Sequence, residues 1–134
     1  MNAQPYLFEF RVCYADTDAG GVVYHARYIE ILERARYEHM RHHGVDIAEL
    51  AAGGIYLAIV DMHIKYLTPG KLGELLQVRT WVDGAKKVSF ECRQEIWTVQ
   101  QPRHLCSANV RVGCVDAALK PLRLPEKLAA ILAS

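Results

Sequence analysis

In the segment YADTDAGGVVYHARYIEILERAR, residues 14–36, two aspartates (Asp16, Asp18), two glycines (Gly20, Gly21) and a histidine (His25) precede an apolar-periodic, highly charged run. A single capping side chain is enough to start a helix, so this crowding asks for a further role. The first turn of a helix carries backbone N–H groups without intrahelical partners and the positive end of the helix dipole, a combination that receives anions. Gly20 and Gly21 let the chain turn sharply and let a ligand approach the backbone. Asp18 lies just ahead of that site, and His25 falls in or next to the first helical turn, where its N–H joins the donors and its ring can orient a neighbour. Such a set suits hydrolysis or acyl transfer at a carbonyl carbon: helix-end N–H groups hold the developing oxyanion while a carboxylate attacks or activates water.

Each residue also has a plainer reading. Asp16 and Asp18 suit turns and helix caps. His25 alone reads as a solvated first-turn histidine, and Tyr14, in the apolar phase of a strand, as a core aromatic. The pair His42-His43 fits a helix C-terminus, where cations are favoured. Asp61 and His63 read as polar-face residues of a strand, and Lys86-Lys87 as a solvated turn at a strand start.

The elements that must position these groups follow from periodicity. An opening strand puts Phe8, Phe10, Val12 and Tyr14 on one face, so that Tyr14 points where the core points. Tyr28, Ile31, Leu32 and Ala35 recur at helical spacing, with Glu30 and Arg34 as an i,i+4 pair on the polar side; the helix spans about residues 26–42 and stops near Gly44. A short helix at 46–52 ends at Gly53-Gly54. From Ile55 the period becomes two. Tyr56, Ala58, Val60, Met62, Ile64 and Tyr66 share one face, while the other begins apolar with Ile55, Leu57 and Ile59. A doubly apolar strand start needs a second cover, which argues for a subunit interface or an intrachain helix. Alternating runs at 75–83, 87–99 and 104–116 complete the strands, and PEKLAAILAS reads as a terminal helix with proline first. One long helix after a first strand, then four consecutive strands, is an α+β pattern: an antiparallel sheet packed on a helix.

The totals narrow the setting. A chain of 134 residues is expected to be a single domain. A formal net charge of +1, with scattered Lys and Arg, gives no case for nucleic acid as a partner. No 18-residue apolar run and no secretory signal is visible, so no membrane span and a cytoplasmic location are expected. None of Cys13, Cys92, Cys106 and Cys114 forms a C-x-x-C pair. All lie in strand-like segments and are expected as free thiols, the last three buried, rather than as disulfides or metal ligands.

The run Y-x-x-T-D-x-x-G-V-V-Y-H-x-x-Y followed by E-R-A-R is carried by Tyr14, Thr17, Asp18, Gly21, Val22, Val23, Tyr24, His25, Tyr28 and residues 33–36. It resembles the acyl-CoA thioesterases of the 4-hydroxybenzoyl-CoA thioesterase family, especially the branch associated with the Tol-Pal cell-envelope system. The resemblance extends over essentially the whole chain, including C-V-D followed by K-P-x-x-L-P at 114–125. It implies the hotdog fold, α+β, in which a curved antiparallel β-sheet wraps a long central helix, as one domain over residues 1–134. It also implies a homodimer or homotetramer whose subunits join their sheets, with active sites at the subunit interface.

Residue by residue, the resemblance makes Asp18 the catalytic carboxylate, His25 a supporting catalytic residue and Tyr14 a pocket residue that orients Asp18 or water. Gly21, Val23 and Tyr24 belong to the substrate-binding loop, and a backbone N–H near His25 is the oxyanion donor. Lys86 and Lys87 match a basic segment that contacts the nucleotide part of coenzyme A in some relatives. The implied substrate is acyl-CoA, with acyl carrier protein as the alternative carrier, and no metal or redox cofactor is required. Cys13 and Ala15 depart from the family's usual residues without touching the catalytic position. A hydratase or dehydratase acting on acyl thioesters, and a binding module without turnover, are the competing readings.

Overall fold

The computed structural model describes residues 4–132. Strand β1 (Tyr6–Arg11) is followed by a 3-10 turn (Tyr14–Asp16), helix α1 (Arg27–His42), helix α2 (Ile47–Ala52), strands β2 (Tyr56–Tyr66), β3 (Leu75–Ala85), β4 (Ser89–Thr98) and β5 (His104–Val115), and helix α3 (Glu126–Leu132). The strands form one antiparallel sheet in the order β1-β3-β4-β5-β2. α1 packs on the β1 and β3 end. Its stripe of Tyr28, Ile31, Leu32, Ala35 and Met40 meets Leu76, Val78, Ile96, Cys106 and Val110 in the core, the amphipathic arrangement that the spacing predicts. α1 stops at Gly44, whose φ of +83° is costly for other residues. The α+β hotdog architecture expected from the resemblance is present.

Three local expectations fail. β1 ends at Arg11, before the alternation could carry Tyr14 inward. The Asp16 carboxylate accepts the Cys13 N–H at 2.8 Å, curling the chain into the 3-10 turn and leaving Tyr14 83 % exposed instead of facing the core. Glu30 pairs with Arg27 at 2.7 Å rather than with Arg34. In β2 a bulge at Val60 breaks the period: Ile59 faces Val112 and Asp61 faces Arg111, so Val60 is the extra residue. Leu57 and Ile59 therefore share the face of Met62 and Ile64, while Tyr56, Ala58 and Val60 keep the other face apolar up to the bulge. β2 still forms a sheet edge, with Ile59 and Val60 exposed.

Cys92, Cys106 and Cys114 are free and buried as expected, whereas Cys13 is free but exposed, at the start of the 3-10 turn rather than in a strand. Among the described residues, no helix is long and apolar enough to cross a membrane.

Candidate active site

Residues 16–24 fold back on themselves as a small antiparallel ladder. The Tyr24 N–H donates to the Asp16 carbonyl, Thr17 bridges Val23, and the Asp18 N–H donates to the Val22 carbonyl at 2.9 Å. The tip is a tight turn in which the Gly21 N–H returns to the Asp18 carbonyl. Gly21 has φ +80°, and a Cβ on Gly20 would meet Asp18 Oδ1 at 3.3 Å, so both glycines answer a local need. Asp18 Oδ1 accepts the Gly20 N–H at 2.8 Å, and the carboxylate is otherwise exposed. Two rungs of ladder, about 7 Å along the strand, separate the level of Asp18 from that of Tyr24.

The two aspartates thus have different surroundings. Asp16 is 1 % exposed and engaged on both oxygens, by the Cys13 N–H and by Arg27 Nε at 2.7 Å. Burial works to raise its carboxyl, but these donors outweigh it and hold the group below the usual carboxylate range. Asp16 is a structural anchor, and Asp18 is the carboxylate left open to a ligand.

At the start of α1, the Arg27 N–H donates to the Tyr24 carbonyl at 2.8 Å, while the N–H groups of His25 and Ala26 have no acceptor among the described residues. The His25 ring is exposed and lies tilted on the Tyr24 ring, centroids 4.5 Å apart. Beneath the loop, the Val23 N–H donates to the Gly70 carbonyl, and the Gly70 N–H donates to the Tyr28 hydroxyl at 2.9 Å. A Cβ on Gly70 would meet side-chain atoms of Leu105, Val23 and Tyr28 at 3.1 to 3.3 Å, tighter than ordinary contact, so glycine suits this close approach.

Asp18, Gly21, Tyr24 and His25 gather on one exposed loop. Val23 does not join them: it is a core residue, 4 % exposed, and supports the loop from below rather than meeting a ligand. Tyr14 sits on the outer side of the same loop, its carbonyl accepting both the N–H and the hydroxyl of Thr17.

Lys86 and Lys87 occupy the exposed turn between β3 and β4, just ahead of the β4 start, as the solvated-turn reading has it. They line a groove of about 660 Å³ together with Arg123 and Glu126. The Leu124 N–H donates to the Lys87 carbonyl and so brings Arg123 alongside. Sequence reasoning passed over Arg123 because it lies 36 residues beyond Lys87; only the K-P-x-x-L-P segment around it gave a sign. Among the described residues, no three His, Cys, Asp or Glu side chains are placed to hold a metal ion.

Residues 12–132 match the family described as the thioesterase-like superfamily. The acyl-CoA thioester hydrolase YbgC of Escherichia coli is 37% identical over 131 residues, 97% of each chain. The acyl-CoA thioesterase YbgC of Haemophilus influenzae is 36% identical over 127 residues, 93% of this chain and 92% of that one. Among solved structures, a probable thioesterase from Bartonella henselae superposes with a TM-score of 0.85 at 34% identity, covering 90% of this chain and 99% of the other. A 1,4-dihydroxy-2-naphthoyl-CoA thioesterase from Synechocystis reaches a TM-score of 0.91 over 96% of both chains; at 23% identity it speaks for the fold alone.

Proposed function

The chain belongs to the thioesterase-like superfamily and is a thioester hydrolase, and from that premise we propose that it cleaves acyl-CoA to free acid and coenzyme A with Asp18 as the catalytic carboxylate. The observation that carries this reading is an exposed carboxylate, fixed at a glycine turn, on the same loop as the unbonded N–H groups of His25 and Ala26, which follow Tyr24 where the ladder ends.

The thioester carbonyl oxygen docks on those N–H groups, which stabilise the charge that develops on it. In one route Asp18 takes a proton from water as the water oxygen bonds to the carbonyl carbon; the C–S bond then breaks and the thiolate leaves, receiving that proton. In the other, an Asp18 oxygen attacks the carbon, the thiolate leaves, and water hydrolyses the mixed anhydride. A thiolate leaves readily, so neither route asks for a strong general acid. His25 and Tyr24 flank the carbonyl, and Tyr14 faces whatever closes the loop from outside. Lys86 and Lys87, joined by Arg123, receive the phosphates of the nucleotide part, and acyl carrier protein is the alternative carrier.

The loop lies open on the single chain, and the β2 edge is unpaired among the described residues. Both features suit a homodimer in which a second subunit completes the site. Free-thiol release from a panel of acyl-CoAs tests the reaction and identifies the preferred acyl group. A change in enoyl absorbance without thiol would point to hydration instead, and binding without turnover to a carrier role. Single turnover in oxygen-18 water tests the routes: label in the Asp18 carboxylate marks attack followed by hydrolysis at the aspartyl carbon, and its absence counts against that path.

A further inference from the structure

The hydroxyl of Tyr66, at the end of β2, donates to the main-chain carbonyl of His25 at 2.8 Å, 41 residues away in sequence. Its ring is set by two edge-on contacts, with Tyr28 at 5.6 Å and with the His25 imidazole at 6.5 Å. Tyr28 is buried, and its own hydroxyl is tied to the Gly70 N–H. The hydroxyl therefore reaches the start of α1 from a firm base. Burial raises the Tyr66 phenol above its ordinary value, which keeps it a proton donor at neutral pH.

The carbonyl it holds belongs to the peptide His25–Ala26. A trans peptide is planar and directs its N–H away from its C=O, so fixing the oxygen also fixes the direction of the Ala26 N–H. The neighbouring peptide, Tyr24–His25, carries the other free N–H, and its carbonyl is held by the Arg27 N–H at 2.8 Å. Both donors thus sit on peptides whose opposite ends are bonded. The helix supplies one of these bonds, and a strand side chain supplies the other. A hydrogen bond accepted at a carbonyl also polarises its peptide and strengthens the N–H as a donor.

We infer that Tyr66 is a positioning residue for the oxyanion-binding N–H groups, holding the His25–Ala26 peptide oriented before substrate arrives. The inference rests on the hydrolase reading given above. Tyr66 need not touch the reacting atoms; it acts through the His25 main chain. Preorganised donors accelerate the chemical step because they need no rearrangement as charge develops, so loss of the hydroxyl belongs in kcat rather than KM.

Tyr66→Phe removes the hydroxyl and keeps the ring contacts. Thiol release would be measured over a range of acyl-CoA concentrations for wild type and Tyr66→Phe, with thermal unfolding alongside. The expected result is an unchanged Tm, KM within about twofold and kcat lower by about 5- to 50-fold, less than the loss of a whole donor. Tyr66→Leu, which also loses the ring, should lower kcat at least as far and reduce Tm. Unchanged kcat in Tyr66→Phe would overturn the inference, as would a rise in KM at constant kcat, which would make Tyr66 an ordinary substrate contact. A wild type inert toward every acyl-CoA in the panel would instead refute the acyl-CoA reading, and this inference as stated for that substrate with it.

Discussion

Arg27 Nε lies 2.7 Å from Asp16 Oδ1, a contact that ties the 3-10 turn before the Asp18 loop to the first turn of the helix after it. Asp16→Ala would leave the part-buried Cys13 N–H without its acceptor and Arg27 with Glu30 alone, a loss of about 1 to 3 kcal/mol. Because the folded carboxyl lies below its unfolded value, its contribution is full above about pH 4 and is lost as pH falls through the folded pKa. Thermal unfolding of wild type and Asp16→Asn should therefore differ most at neutral pH and converge toward pH 2. A gap that persists undiminished in acid would contradict the assignment.

His39 is 7 % exposed, stacked on Tyr6 with centroids 5.0 Å apart, and its Nδ1 has no partner among the described residues. Burial, then the neighbouring His43 and His42, push its pKa down to about 4 from 6.5. A histidine with a depressed folded pKa takes up its proton first in the unfolded chain. Stability is thus full above 6.5 and declines as pH falls toward 4, by about 2 to 3 kcal/mol in all. His39→Phe keeps the stack and removes the titration, so its unfolding midpoint should vary less between pH 6.5 and 4 than that of wild type. Parallel curves would show that other groups govern this range.

Gly113 faces Ala58 across the β2–β5 ladder, and a Cβ there would lie 2.8 Å from Cγ2 of Val60, the bulged residue. Valine has little rotamer freedom to give way. Gly113→Ala should cost about 1 to 3 kcal/mol by overpacking, and Val60→Ala in the same chain should recover most of it. Additive losses in a double-mutant cycle would separate the glycine from the bulge.

These cases show which parts of the structure a sequence reveals. The helix face of Tyr28, Ile31, Leu32 and Ala35 was legible because one element's periodicity encodes it, as were the strands after Ile55. The bulge was not, because Val60 is accommodated by a glycine on another strand, 53 residues on. Tyr14 was misplaced because the alternation says nothing of Asp16 reaching back to the Cys13 N–H. Asp16 and Asp18 are the same residue type two positions apart, and the Cys13 N–H and Arg27 make one an anchor and leave the other open. Tyr66 and Arg123 reach the loop and the basic groove by tertiary convergence, which no local pattern carries. The Asp18 turn itself was readable, because Gly20 and Gly21 are local requirements of its geometry.

In the proposed reaction Asp18, and not its buried neighbour, performs the chemistry. Free-thiol release by Asp18→Asn, compared with wild type on the preferred acyl-CoA, tests it most directly. Asp18 is exposed, so the fold and Tm should be retained, while kcat falls by about 100-fold or more. Equal activity in a folded Asp18→Asn would contradict the account and require another group to deliver the water.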